Sequence, residues 1–86
     1  MGVVVLCFIQ GGCMGCSEQE PINREVEKDL KIRIQMIDVM REPRFVSQYR
    51  LRVTPTMIIL QNGEERRRFE GLVHTDELEA EIRKYL

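Results

Sequence analysis

The feature that most constrains the fold is an uninterrupted apolar run, Val3–Ile9. A strand with one face in water alternates apolar and polar residues, whereas a run without alternation is typical of a strand covered on both faces. Gln10 and the pair Gly11-Gly12 end the run after too few residues to cross a membrane, and no basic segment precedes it as in a signal peptide. The run therefore predicts a buried central strand in a cytoplasmic protein that has no membrane segment.

Periodicity and turn residues predict the elements that follow this strand. Apolar residues spaced four apart predict a first helix over about residues 17–31, and alternation predicts a strand over residues 32–36. Asn62-Gly63 is a strong hairpin signal, and Thr75 is expected to cap the last helix. The other predictions are a helix entered at Pro43 with Phe45, Val46 and Tyr49 on one face, strands over residues 57–60 and 66–70, and a last helix with the buried stripe Leu78, Ile82, Tyr85 and Leu86.

The predicted order of elements is β-α-β-α-β-β-α over a single domain, residues 1–86. A β-α-β unit has a right-handed crossover and parallel strands, and the hairpin adds an antiparallel pair. We therefore expect an α/β fold of three layers, in which helices cover both faces of a mixed four-stranded sheet. Hydrophobic residues make up 43% of the chain and charged residues 31%, which suits one globular domain.

The charge pattern gives no sign of a nucleic-acid partner. The formal net charge is −1, and basic residues alternate with acidic ones along the chain. The local run Arg66-Arg67-Arg68 is flanked by glutamates, so we interpret it as a solvated strand face.

Two of the three cysteines, Cys13 and Cys16, are separated by Met14-Gly15 and lie between the first strand and the first helix. At a helix N-terminus, unpaired backbone N–H groups and the positive end of the helix dipole favour a thiolate over a thiol. The spacing also allows the two sulfurs to approach bonding distance. The position therefore indicates thiol–disulfide exchange, in which Cys13 attacks a target disulfide and Cys16 releases the reduced target.

A C-x-x-C pair is also used in zinc sites, so metal binding is an alternative. A structural zinc ion needs four ligands, and the other candidates are Cys7 and His74. Cys7 lies in the apolar first strand and is expected to be a buried core residue, and no second ligand pair completes a set. We therefore expect no metal and no cofactor. A purely structural disulfide is disfavoured in a reducing compartment.

Several motifs together resemble the thioredoxin and glutaredoxin superfamily, and the resemblance covers nearly the whole chain. The order of elements is similar to the family's minimal form, as in the compact thioredoxins of archaea. The matching segments are Cys13-Met14-Gly15-Cys16 at the redox motif, Pro21 in the first helix, Val53-Thr54-Pro55-Thr56 at the cis-proline loop, Asn62-Gly63 at the hairpin and Phe69-Glu70-Gly71 before the last helix.

The resemblance implies a site around the two cysteines. Pro55 would follow a cis peptide bond and pack against the disulfide, Thr54 would offer its backbone groups to an extended substrate, and Gly71 would allow close approach. Gly12, Met14, Gly15 and Leu72 complete the expected substrate-binding set. The implied partners are protein disulfides and, as electron donor, a thioredoxin-type reductase or another dithiol donor. We expect a monomer.

The chain departs from the thioredoxin pattern at Gly12, at Met14-Gly15 and at Cys7. Gly12 stands where thioredoxins carry Trp, and Cys7 stands where they carry a buried Asp, so the proton acceptor for Cys16 is missing unless Lys28 or a water replaces it. Two alternatives remain open. One is a glutaredoxin-like enzyme that uses glutathione, and the other is a redox-inactive metal-binding or interaction module on the same fold.

Overall fold

All seven predicted elements are present in the computed structural model, which describes residues 2–86; Met1, at the start of the predicted domain, lies outside the described residues. The order is the predicted one. The elements are β1 (Val3–Ile9), α1 (Met14–Leu30), β2 (Ile34–Asp38), α2 (Arg44–Gln48), β3 (Thr56–Gln61), β4 (Glu64–Glu70) and α3 (Thr75–Arg83).

The four strands form one mixed sheet in the order β2-β1-β3-β4. β1 pairs in parallel with β2 and antiparallel with β3, so the apolar first strand has a neighbour on each side. β3 and β4 form the predicted antiparallel hairpin. Its turn has positive φ at both Asn62 (53°) and Gly63 (84°), the backbone that favours Asn-Gly in tight hairpins. The predicted fold class is confirmed.

The two faces of the sheet carry separate apolar cores. Val5 and Cys7 point to the face covered by α1 and α3, where Val26, Leu78 and Ile82 are fully buried. Leu6 and Phe8 point to the opposite face, which α2 covers with Phe45 and Tyr49. Successive residues of a strand face opposite sides, and this explains why the run Val3–Ile9 shows no alternation.

Helix α1 begins at Met14, earlier than the predicted residue 17. The reason is Cys13, which occupies the N-cap position with extended backbone (φ −94°, ψ 115°) and accepts a hydrogen bond from a first-turn amide. The helix includes Pro21 and ends before Lys31, which has a left-handed backbone (φ 56°) and an N–H bonded to the carbonyl of Glu27. Both ends of the helix are thereby capped.

Two predictions for the last helix are wrong. His74, not Thr75, occupies the N-cap of α3 and has extended backbone, while the Thr75 hydroxyl donates to a carboxylate oxygen of Glu25 on α1 at 3.3 Å. Leu86 lies beyond the helix end and is 63% exposed, so the buried stripe is Leu78 and Ile82 with a half-buried Tyr85.

The interpretation of Arg66-Arg67-Arg68 as a solvated face fits Arg66 and Arg67, whose side chains are 42% and 41% exposed, and is wrong for Arg68, whose side chain is 22% exposed. The guanidinium of Arg67 lies 4.3 Å from the ring centre of Phe69 and forms an ion pair with Glu81 at 3.3 Å. Arg68 forms an ion pair with Glu65 at 2.8 Å and donates to the carbonyl of Tyr49 at 2.7 Å. Neighbouring strand residues lie on opposite faces, so these two arginines cover different layers of the protein.

Candidate functional site

Cys13 and Cys16 are joined by a disulfide at the N-terminus of α1, with their Cα atoms 5.2 Å apart. The backbone N–H of Cys16 donates a hydrogen bond to the sulfur of Cys13 at 3.1 Å. Cys13 is half-buried, whereas Cys16 is only 7% exposed. The two sulfurs therefore differ in access, and the accessible one already receives a hydrogen bond that would stabilise a thiolate.

A loop with a cis Thr54–Pro55 peptide bond lies against this disulfide, as the resemblance predicted. The carbonyl oxygen of Thr54 lies 3.4 Å from the sulfur of Cys13. A Cβ atom placed on Gly15 would lie 3.1 Å from Cδ of Pro55, which is buried. Gly15 therefore allows the first turn of α1 to approach the proline ring closely.

The segment that follows β4 forms the third side of the site. The N–H of Gly71 donates to the carbonyl of Pro55 at 2.8 Å, which ties this segment to the cis-proline loop. Gly71 has φ 97°, a conformation that side-chain-bearing residues rarely adopt. Leu72, which belongs to the expected substrate-binding set, is half-buried, whereas the next residue, Val73, is only 3% exposed and belongs to the core.

Apolar side chains are exposed around Cys13. Met14 is 82% exposed, next to an exposed Gly12, and Val53 is 46% exposed beside Thr54. A groove of about 180 Å³ includes Thr54 and Val53 and extends toward α2. The other residues that line the groove are Gln10, Val39, Val46, Leu51 and Arg52. Every predicted site residue thus lies on one of three neighbouring segments, residues 12–16, 54–55 and 71–72.

The departure at Cys7 has a clear chemical consequence. Cys7 is fully buried in β1, and burial raises the pKa of its thiol to about 11, although a hydrogen bond from Asn23 acts in the opposite direction. Cys7 therefore stays protonated near neutral pH and cannot take a proton from Cys16.

Lys28 does not replace the missing acceptor. It lies 12 residues after Cys16, or about 18 Å along the helix, and it is exposed to solvent. A solvent-open cleft of about 210 Å³ is lined by Cys16 together with residues that include Glu20 and Asp38. The cleft gives water access to the vicinity of Cys16.

Sequence reasoning missed two buried polar residues on α1, Gln19 and Asn23. The side chain of Gln19 is fully buried and bonds both backbone polar groups of Val73, and Asn23 accepts a hydrogen bond from Gln19 at 3.0 Å. Gln19, Asn23 and Val26 follow the spacing of one helical face. Polar residues on that apolar stripe were the signal that could have revealed them.

The residues that the structure describes also include neither a metal-binding cluster nor a membrane-spanning helix. Within residues 2–86, no group of three or more histidine, cysteine, aspartate or glutamate side chains is placed to hold a metal ion. No helix in the same part of the chain is long and apolar enough to cross a membrane.

Comparison with known proteins finds one family. A family model described as Thioredoxin matches residues 1–84. The chain is 32% identical over 85 residues to the chloroplastic thioredoxin Y of Oryza sativa subsp. japonica, covering 96% of this chain and 51% of that protein. It is 31% identical over 71 residues to a thioredoxin of Rickettsia bellii (strain RML369-C), covering 80% of this chain and 68% of that protein. The chain spans about half the length of the chloroplastic relatives it matches.

Solved structures show the same fold. A structure described as a malarial protein superposes with a TM-score of 0.90 at 25% identity, covering 100% of this chain and 99% of that chain. The malaria parasite thioredoxin-2, described as a component of the protein secretion machinery, superposes with a TM-score of 0.87 at 25% identity, covering 95% of this chain and 82% of that chain.

Proposed function

Because this chain belongs to the thioredoxin family, we propose that it is a thiol–disulfide oxidoreductase that reduces protein disulfides through Cys13 and Cys16. The observation that carries the proposal is the placement of this cysteine pair. The accessible sulfur caps a helix and contacts the cis-proline loop, and the second sulfur is buried one turn further into the same helix.

The mechanism uses the difference in access between the two sulfurs. In the reduced protein, the thiolate of Cys13 attacks one sulfur of a target disulfide, and the other target sulfur leaves as a thiolate that takes up a proton. Cys16 then loses its proton to solvent in the adjacent cleft and attacks the sulfur of Cys13. This attack forms the Cys13–Cys16 disulfide and breaks the mixed disulfide, and the second target sulfur leaves as a thiolate that takes up a proton. The target is thereby reduced to a dithiol by the two electrons that Cys13 and Cys16 lose on forming their disulfide.

The substrate we propose is an extended segment of a protein. The backbone of Thr54 lies next to the attacking sulfur and would pair with such a segment in the manner of strand addition. Gly12, Met14 and Gly15 on one side, and Pro55, Gly71 and Leu72 on the other, would contact the residues that flank the target cysteine. The exposed apolar side chains favour a protein surface over the charged tripeptide glutathione, so the glutaredoxin-like alternative is not better supported.

The remaining parts of the proposal concern the surroundings of the enzyme. A thioredoxin-type reductase or another dithiol donor would return the Cys13–Cys16 disulfide to the dithiol form, and the protein would act as a monomer.

We also propose the cytoplasm as its compartment, because a reducing compartment keeps the dithiol available. Some relatives are named as chloroplastic, and cell fractionation distinguishes the two locations.

The test is reduction of insulin disulfides with dithiothreitol as electron donor. We expect activity in the wild type and in Cys7→Ala, which changes a buried cysteine outside the site, and loss of at least a hundredfold in Cys13→Ser. Full activity in Cys13→Ser would overturn the assignment. Activity that requires glutathione and is absent with dithiothreitol would favour the glutaredoxin-like alternative instead.

A further inference from the structure

The side chain of Gln19 pairs with the backbone of Val73 as a neighbouring strand would. Its Nε2 group donates to the carbonyl of Val73 at 3.0 Å, and its Oε1 atom accepts the N–H of Val73 at 3.0 Å. The sequence separation is 54 residues, and the Gln19 side chain is 0% exposed. One buried amide thus joins the helix that carries both cysteines to the segment that follows β4.

The two bonds to Val73 already distinguish the oxygen of this amide from its nitrogen, and the same orientation satisfies a third hydrogen bond. The second hydrogen of Nε2 is directed to Oδ1 of Asn23 at 3.0 Å, and Nδ2 of Asn23 in turn lies 3.2 Å from the sulfur of Met36 on β2. If the amide of Gln19 were rotated by 180°, its oxygen would face two other acceptors, the carbonyl of Val73 and Oδ1 of Asn23. Its NH₂ group would face the N–H of Val73, which is also a donor. Gln19 therefore holds Val73 in one arrangement, because the alternative leaves buried polar groups unpaired.

Leu72 lies between two residues whose backbone groups are held by hydrogen bonds. On its N-terminal side, the N–H of Gly71 is bonded to Pro55 at 2.8 Å, and on its C-terminal side both polar groups of Val73 are bonded to Gln19. The backbone N–H and C=O of Leu72 have no hydrogen-bond partner within residues 2–86. Two anchors thus hold a half-buried residue with free backbone groups next to the cis-proline loop.

We propose that Gln19 is a positioning residue for protein substrates, which holds Leu72 beside the cis-proline loop so that an extended substrate segment pairs with the backbones of both Leu72 and Thr54. The inference rests on the proposed function. Gln19 does not touch the reacting sulfurs. It acts through the 71–73 segment, and its loss would weaken substrate binding while leaving the chemistry of Cys13 unchanged.

The experiment compares a protein disulfide with a small one in Gln19→Leu, which keeps a similar volume and removes all three hydrogen bonds. With insulin, we expect kcat/KM to fall by about tenfold, through KM rather than kcat, since one or two substrate hydrogen bonds are lost. With the small disulfide 5,5′-dithiobis(2-nitrobenzoate), which does not span the 71–73 segment, we expect a rate within twofold of the wild type. The reduction potential of the Cys13–Cys16 pair is expected to be unchanged.

Asn23→Leu is the matched control, because it lies on the same helix face and removes one hydrogen bond of Gln19 without touching Val73. We expect Asn23→Leu to keep the slow amide exchange of Val73 and the wild-type KM for insulin, and Gln19→Leu to lose both. Should Gln19→Leu fail to fold, Gln19→Met provides the same comparison with a more flexible side chain.

Equal losses with both disulfides, or a wild-type KM for insulin combined with fast exchange at Val73, would overturn the inference. A wild-type protein that reduces neither disulfide would instead overturn the proposed function.

Discussion

The backbone N–H of Cys16 points at the sulfur of Cys13, and the two atoms are 3.1 Å apart. This contact is the usual capping hydrogen bond of a helix N-terminus, with a sulfur in the place of a hydroxyl or carboxylate oxygen. The capping acceptor becomes a stronger acceptor when it carries a negative charge. The start of α1 therefore stabilises the charged, nucleophilic form of the residue that begins the reaction.

The first prediction concerns the reactivity of Cys13 as a function of pH. In the reduced protein, the rate of alkylation by iodoacetamide is expected to reach half its maximum at a lower pH than for an ordinary cysteine, because the helix N-terminus favours the thiolate. Mass spectrometry of peptides identifies the alkylated residue. A half-maximum near the ordinary cysteine value of about 8.5 would contradict the role of the Cys16 amide.

The second prediction concerns the close approach of Gly15 to Pro55. Gly15→Ala would place its Cβ 3.1 Å from the buried proline ring, and the loop is held by the bond from Gly71 to Pro55. We expect overpacking to outweigh the helix-forming advantage of Ala, with a net loss of about 1 kcal/mol in the free energy of unfolding. Guanidinium denaturation measures the loss.

Gly11→Ala is the control for this substitution, because a Cβ at Gly11 meets nothing within 4 Å. Its free energy of unfolding is expected to stay within about 0.5 kcal/mol of the wild type. If Gly15→Ala were as stable as Gly11→Ala, the contact with Pro55 would not limit the residue at position 15.

The third prediction separates the three thiols of the reduced protein. Burial raises the pKa of Cys7 to about 11, so at pH 8 this thiol is both inaccessible and protonated. We expect 5,5′-dithiobis(2-nitrobenzoate) to oxidise only Cys13 and Cys16 rapidly in the folded protein, and Cys7 to react when guanidinium unfolds the chain. Rapid reaction of Cys7 in the native protein would show that β1 opens readily.

The fourth prediction concerns the contact between α1 and α3. A hydrogen bond with Asp29 on α1 and partial burial raise the pKa of Glu79 above its ordinary value of 4.5, with Arg83 acting in the opposite direction. One carboxylate oxygen of Glu79 is buried without a hydrogen-bond partner within residues 2–86. Because the pKa of Glu79 is higher in the folded than in the unfolded protein, the protonated carboxyl group favours the folded state. This contribution to stability is complete below the pKa of the unfolded protein and is lost as the pH rises through the pKa of the folded protein.

We therefore expect Glu79→Gln, which stays uncharged at every pH, to have a higher melting temperature than the wild type at pH 7 and the same melting temperature near pH 4. Glu18→Gln is the control, because it removes the same charge from an exposed glutamate on α1. We expect its melting temperature to equal that of the wild type both at pH 7 and near pH 4. A lower melting temperature of Glu79→Gln at pH 7 would show that its ionised form contributes favourably, for example through Arg83.

The order of elements could be predicted from the sequence because local patterns decide it. The run Val3–Ile9, the hairpin signal Asn62-Gly63 and the helical stripe around Val26 each depend on neighbouring residues alone. Two of the wrong predictions lie where a distant contact is present. Thr75 does not cap α3 because its hydroxyl bonds Glu25 on another helix, and Arg68 is partly covered because the carbonyl of Tyr49 faces it.

The sequence by itself determined which residues carry the chemistry, since the spacing of Cys13 and Cys16 and their place ahead of a helix are local properties of the chain. The tertiary structure decided what surrounds them. It placed Thr54 against Cys13 and joined Gln19 to Val73 across 54 residues, and it left Cys7 as a neutral thiol in the core. Periodicity reports which residues are buried, but hydrogen-bond partners and desolvation depend on how separate elements pack together.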